Sequence, residues 1–499
     1  MKSLLLGSAA GLAAVTGAQA ADMPVKARPV EYVRICSLYG EGFFYIPGTD
    51  TCLKLGGYVR VQTEYNAGAG GVVIGSQQMG PQGRFTRDLT NDINYRVRGV
   101  LTFDVRQQTE YGTLRSYFKA GWENTTPGAT GGGTTATAYW ERAFIQFVGF
   151  TVGRAQSYFD VFGFFGNYTY LNTRTSGDTN GTGQNLWAYT AQFGNGLSGT
   201  VSLEDPSTRR ITTYDATCGA FANPNAAVLQ DDGLGINGAP CTAAPTAFGF
   251  RVPNIIGNLR VDQAWGYAGV SLALHDVSGA YWFTPNNVNN GHPADKYGWA
   301  VAVGAQFNIG QFDTLGVQAT YSEGAPGFVT NSSWWQLYKN SNQVGVAWLA
   351  DAVFTGIGEV ELTRAWNINA AYQHFWNNKW RTSWYGGYVV VDYNQRATNI
   401  ICTTGAGGLF AAAQPAGFNC NPDFSFFQVG SRTQWNPVPQ LDIGLDIVYT
   451  KLNTAFKGPA NLAANGSRPA CTNNAVQACS VDDQGVWSAL VRWQRNFYP

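Results

Sequence analysis

Beyond its first twenty residues the 499-residue chain has no run of about 18 uninterrupted apolar residues, so no later segment can cross a bilayer as a helix. It carries no net charge either, with 32 basic against 32 acidic residues and no block of like sign, which points away from nucleic acid or a strongly anionic partner. Histidine is scarce. His275, His292 and His374 are the three in the chain, and none stands in a serine or cysteine nucleophile motif, so the reading is of a protein that is not an enzyme. The eight cysteines lack C-x-x-C or Cys/His metal spacing. Residues 178–185, DTNGTGQN, have a loose calcium-loop look but no bidentate acidic residue in the required place. No metal or other cofactor is expected. No linker-like change of composition divides the chain, although a soluble chain this long normally splits into domains.

What the sequence has instead is alternation with a period of two. Between 91 and 106, Ile93, Tyr95, Val97, Leu101, Phe103 and Val105 fall on one face, and Asn94, Arg96, Arg98, Thr102, Asp104 and Arg106 on the other. One face suits lipid and the other water. A single such strand could equally cover a soluble sandwich, but the pattern recurs along the whole chain. It predicts strands near 53–65, 91–108, 113–123, 135–148, 151–159, 185–194, 197–204, 254–263, 267–277, 296–308, 313–322, 364–376, 380–393, 424–435, 441–452 and 486–496, about sixteen in all, as an antiparallel transmembrane β-barrel would need. The connections alternate in length. Short ones at 109–112, 149–150, 195–196, 264–266, 310–312, 377–379 and 437–440 read as periplasmic turns, and long Gly/Asn/Thr/Ala-rich ones such as 205–253 and 455–484 as extracellular loops.

The N-terminus supplies a leader: Lys2, an apolar stretch over 4–15, and Ala18-Gln19-Ala20 as a small-x-small cleavage site. Domain organisation is then a signal peptide over 1–20, a periplasmic N-terminal segment over 21–52, and the barrel over 53–499. The cysteines form four neighbouring couples. If each couple lies in its own loop or terminal segment, the reachable disulfides are Cys36–Cys52, Cys218–Cys241, Cys402–Cys420 and Cys471–Cys479, all outside the sheet. Such pairing implies an oxidising compartment. Aromatic residues collect near strand ends, at Tyr58, Tyr65, Trp122, Trp140, Trp265, Trp376, Trp380, Trp435, Trp493, Phe497 and Tyr498. Rings with a polar edge favour headgroup depth and would form two girdles.

Residues 30–60, VEYVRICSLYGEGFFYIPGTDTCLKLGGYVR, resemble the N-terminal signature of the alphaproteobacterial outer-membrane porins, which are general diffusion porins. Further blocks look like the same family: 139–160 (YWERAFIQFVGFTVGRAQSYFD), 258–276 (NLRVDQAWGYAGVSLALHD) and 491–497 (VRWQRNF). One departure is the ending, where Tyr498 and Pro499 follow the terminal Phe497. The resemblance implies a homotrimer of 16-stranded barrels in the outer membrane of a Gram-negative cell, with lipid and lipopolysaccharide around it. Each barrel would hold a water-filled pore for ions and small hydrophilic solutes, narrowed by an inward-folded third loop that matches 161–184. Independently, that loop opens with Phe162, Phe164, Phe165, Tyr168 and Tyr170 and continues in Gly, Thr and Asn, a composition able to fold back on a wall and stay hydrated. The same rings would also suit a subunit contact.

The expected pore constriction is electrostatic. Alternation turns Arg60, Arg96 and Arg98 inward, with Arg142 and Arg154 expected to join them; Asp160 and Asp178 of the loop, with Arg174 nearby, would oppose this basic strip and set up a transverse field. Each of these charges could instead serve a structural salt bridge. The even charge balance leaves the preferred ion sign open. Two other readings differ in testable ways. A sugar-selective channel would need a lumenal stack of aromatics, for which Trp140, Tyr117 and Trp384 are the candidates, and a soluble carbohydrate-binding β-protein would place its rings on an aqueous surface.

Overall fold

Strands that alternate polar and apolar residues can hide one face only by pairing in a row, and a row in lipid must close on itself so that no backbone amide is left unpaired. The computed structural model describes residues 34–497 apart from 66–92, 127–134, 216–249, 404–413, 462–478 and shorter stretches within the loops. Its principal sheet contains, in chain order, β1 (Cys52–Tyr65), β2 (Ile93–Thr109), β3 (Gly112–Thr125), β4 (Thr135–Phe147), β5 (Phe150–Ala155), β6 (Gln184–Gly194), β7 (Leu197–Glu204) and β8 (Asn254–Gln263). It continues with β9 (Gly266–Asp276), β10 (Tyr297–Ile309), β11 (Asp313–Glu323), β12 (Arg364–Phe375), β13 (Trp380–Asp392), β14 (Phe424–Trp435), β15 (Leu441–Asn453) and β16 (Gln484–Asn496). Each pairs antiparallel with its sequence neighbours. The pairing of Tyr58 with Asn496 through Tyr65 with Ala489 joins β16 to β1 and closes a sixteen-stranded barrel.

The sides are inverted relative to a soluble sandwich. Val59, Val61, Val97, Leu101, Val201, Leu272 and Ile368 stand exposed on the outside, while Gln62, Ser202, Asn367, Asn369, Gln428 and Ser488 are buried within. That is the arrangement for lipid outside and water inside, and it removes the soluble reading. Most of the strand-end aromatics also lie outside, with Trp265 beside Phe307 and Trp380 stacked on Trp435 at the short-turn rim. Tyr58 departs from this: it is buried in the lumen, its hydroxyl directed at Glu141, because it shares the face of Arg60. Tyr498 falls outside the described residues.

Gly57 marks the seam. Its φ is +150°, and a β-carbon there would lie 2.1 Å from the Val100 carbonyl oxygen and 2.6 Å from the Phe497 ring. The Phe497 amide donates to the Gly57 carbonyl at 3.0 Å, so a side chain at 57 would push the last aromatic off the first strand.

Before β1 the two-residue strand Phe44–Tyr45 pairs with Leu53 and Cys52. The Cys36–Cys52 disulfide (Cα–Cα 6.0 Å) buries beside Phe43, and Arg106 of β2 lies over the Phe43 ring at 5.0 Å. This bridge therefore reaches into the sheet, since Cys52 is the first residue of β1, and does not lie wholly before it. At the long-loop rim Val329, Val353, Ile401, Phe426, Leu452 and Phe456 belong to one hydrophobic cluster, next to which the helix Gln395–Thr403 is tied by Cys402–Cys420 (Cα–Cα 5.8 Å). Cys218, Cys241 and Cys471 lie outside the described residues, as do the leader and residues 21–33.

Reduction of the detergent-solubilised protein is expected to leave the far-ultraviolet strand signal in place while proteolysis of the 393–423 loop accelerates. Loss of the strand signal on reduction alone would contradict a barrel held by its own ladder.

Candidate functional site

Barrel parity brings a charged arc together on β1 to β4. Arg60 sits directly opposite Arg98 in the register, a like-charge pairing that would repel unless each cation found its own partner. Both do. Arg60 donates from Nε to Gln494 at 2.7 Å and lies over the Tyr58 ring; Arg98 donates to Glu123 at 2.5 and 2.9 Å, stacks over Tyr139 and is 3.8 Å from Glu141. Arg96 pairs with Glu64 at 3.1 Å and donates to Gln62 at 3.2 Å. Further along the same arc Asp104 receives both Arg106 and Arg115, at 2.8 and 2.9 Å.

Glu141 reaches this arc through a defect in the ladder. Lys119 pairs with Arg142 and Ala120 with Trp140, so Glu141 is the extra residue of a β-bulge. Trp140 stays outside while Glu141 and Arg142 both turn inward. Glu141 pairs with Lys119 and lies near the Tyr58 hydroxyl, and Arg142 donates to the Glu141 carbonyl at 2.8 Å.

The loop between β5 and β6 is the other half of the site. The strand expected over 151–159 ends at Ala155, because Glu204 at the end of β7 takes the Ser157 hydroxyl (2.6 Å) and the Tyr158 amide (2.8 Å) and draws the chain off the wall. From there the chain crosses the lumen. Arg260 of β8 donates to the Val161 carbonyl (3.1 Å), Tyr168 reaches Gln306 of β10 and Thr314 of β11, and Arg432 of β14 donates to the Asn167 carbonyl (2.6 Å). Asp446 of β15 is the main anchor: Thr169 Oγ1, the Tyr170 amide and the Tyr385 hydroxyl all donate to it at 2.6 Å. The Tyr170 hydroxyl donates to Asp442. Burial, with the Asp442 charge adding to it, raises this phenol well above its usual range, so it remains a donor.

The loop charges are thus buried in supports. Asp160 binds Arg209 at 2.6 Å, with side chains 0% and 2% exposed, and also accepts from Thr179. Asp178 is buried and takes Gln318 Nε2 at 3.3 Å; the buried Arg174 is fixed through its backbone, its amide to Gln428 and its carbonyl to Thr330. Arg154 lies on the other face of the wall. It pairs with exposed Asn185 in register with outward Val152, Trp187, Phe150 and Tyr189, so the expectation that it joins the inward arginines is corrected by strand parity. Trp140 and Trp384 face outward too, exposed at 60% and 44%; of the three aromatics considered for a sugar track, Tyr117 alone faces in, stacked on Phe144. Phe162 lies outside the described residues.

Comparison with known proteins now bears on this geometry. Residues 22–489 match the model of a porin subfamily. The chain belongs to this porin family. Porin Omp2a of Brucella canis is 29% identical over 377 residues, 68% of this chain and 89% of that protein, and porin Omp2b of the same species is 37% identical over 212 residues, 41% of this chain and 54% of that protein. Among solved structures the outer membrane channel DcaP of Acinetobacter baumannii superposes with a TM-score of 0.53 at 13% identity, covering 91% of this chain and 99% of that one, a likeness of fold. This porin is a multi-pass β-barrel of the bacterial outer membrane and acts as a passive diffusion channel.

Parity alone would also have found lumenal residues that the strip of arginines on β1 and β2 left out. Arg381, Arg432 and Arg492 alternate with outward Trp380, Trp384, Val491 and Trp493 on the far wall. Glu141 is different, since strict alternation from Arg142 would turn it outward. Replacing the main loop anchor, Asp446→Ala, is expected to raise single-channel current noise and mean conductance, because about four hydrogen bonds to an ionised carboxylate, each worth roughly 1.5–3 kcal/mol, disappear; unchanged current traces would mean that the loop is held elsewhere.

Proposed function

We propose that solutes cross this porin between the charged arc of β1 to β4 and the loop over 156–183, and that the arc sets ion preference. The observation that carries this reading is the one-sidedness of the loop's anchors beyond its root, which lie on β7 to β11 and β14 to β16 and leave Arg60, Arg96 and Arg98 on the wall facing it. The opposing charges are Glu64, Glu123 and Glu141 of the same wall. Asp160, Arg174 and Asp178 act as loop supports. The transverse field then runs along the arc from cation to carboxylate and gives mild selectivity, without catalysis or cofactor.

A homotrimer fits the outer surface. Arg154 and Asn185 interrupt the lipid-facing side beside an open cleft of about 1070 Å³ that Trp140, Trp187, Leu203 and Phe250 line. An arginine facing lipid near mid-depth costs about 2–4 kcal/mol, and a neighbouring barrel covering it removes that cost. Residues 1–20 are read as the cleaved leader, 21–52 as a periplasmic segment and the loop rims as the part meeting lipopolysaccharide. The outward Trp140 and Trp384 argue against the sugar-selective alternative.

Neutralising two cations together, Arg96→Gln with Arg98→Gln, frees Glu64 and Glu123 and is expected to shift the reversal potential in a potassium chloride gradient toward cation preference by several millivolts, whereas Arg154→Gln leaves it in place. An unshifted double variant would put these side chains off the ion path. Sedimentation in detergent should give the mass of three chains, with channels closing in three steps; a single-chain mass with single closures would refute the trimer.

A further inference from the structure

Two chambers lie on the short-turn side of the loop, and they differ in charge. The first, about 890 Å³, is lined by Arg142 and Arg260 against Asp160 and Asp262, with Arg260 and Asp262 2.8 Å apart. Its charges balance. The second, about 770 Å³, lies where the wall of β13 to β16 meets β1 and is lined by Arg60, Lys379, Arg381, Arg432 and Arg492, with Asp442 the one carboxylate among its lining residues.

These cations are gathered around one ring. The Arg492 guanidinium lies 3.9 Å and that of Arg432 5.0 Å from the centre of Tyr170, whose hydroxyl goes to Asp442, which Arg381 also approaches at 3.3 Å. Asp442 is thus shared by a phenol and a guanidinium. Arg432 and Arg492 are only 4% and 8% exposed, yet the Nε of each has no hydrogen-bond acceptor among the described residues. A guanidinium stays charged under all ordinary conditions and presents planar donors that match anionic oxygens. Several uncompensated cations in a cavity of a size suited to small molecules make a sink for negative charge.

We infer that this chamber is a binding station within the pore for a small solute carrying two negative charges on oxygen, the chemistry shared by a phosphate monoester and a dicarboxylate. The inference rests on the reading of the lumen as the conducting path. Water filling the rest of the chamber keeps the attraction weak enough for release, as passage through a pore requires. The solute would displace hydration from Arg60 and Arg381 and rest above Tyr170, with Asp442 limiting how tightly it is held.

The test is single-channel recording in potassium chloride buffered near pH 8, with inorganic phosphate, succinate or glucose added to either side in turn. Saturable reduction of current by phosphate, succinate or both, at concentrations at least tenfold below any effect of glucose, is the expected result, and the pair shows which oxygen chemistry is held. Arg60→Gln with Arg381→Gln should raise the half-blocking concentration at least fivefold. Should that variant not fold, Lys379→Gln in the turn should raise it about twofold, while outward Arg154→Gln changes nothing. A channel that conducts normally and is blocked by neither dianion overturns the station alone. A folded protein that does not conduct overturns the conducting-path reading beneath it.

Discussion

The controlling constraint is that a backbone amide in hydrocarbon has no water to bond to. Every amide of a spanning strand must find a neighbouring strand, and the row has to end where it began. In this chain β16 returns to β1 with Phe497 laid against Gly57, and everything else follows from that closure. Once the sheet is closed, outward side chains meet lipid and inward ones meet one another or water. Charge is drawn inward, with Arg154 the exception.

Crowding charge into a lumen raises the question of how like charges coexist there, and the porin answers it with local pairing. Arg60 and Arg98 face each other across a ladder rung, yet one is held by Gln494 and a tyrosine ring and the other by Glu123. The loop follows the same logic with opposite emphasis. Its ionised groups are withdrawn from water, Asp160 into Arg209 and the loop backbone onto Asp446, so its charges fix position. A loop held this way resists the fluctuations that a hydrated Gly/Thr/Asn segment would otherwise show.

Much of this was legible in the sequence, for physical reasons. Period-two alternation reports which face meets lipid, so the sixteen strands and the alternation of turns and loops could be read directly, and so could the inward course of Arg60, Arg96 and Arg98. What parity does not report is the partner. That Asp160 and Asp178 are buried depends on contacts with Arg209 and Gln318, 49 and 140 residues away in the chain. Arg154 faces outward because it shares the parity of Phe150 and Val152, against the expectation that it turns inward. Nor does spacing between cysteines report where a strand begins: all four bridges are expected outside the sheet, yet Cys52 is the first residue of β1.

The bulge at Glu141 has a consequence for how such a pore can change. Because the added residue is taken up on the inner side, Trp140 and Ala143 keep their outward posts, and the membrane sees an uninterrupted β4. A codon gained at that point enters the lumen as one more carboxylate with no exchange of an existing side chain. Deleting it would restore a plain ladder and leave the lipid-facing row as it was. Insertion and deletion, which normally invert a strand's two faces from that point onward, here act as a way to adjust the ionic lining of the channel by one charge at a time.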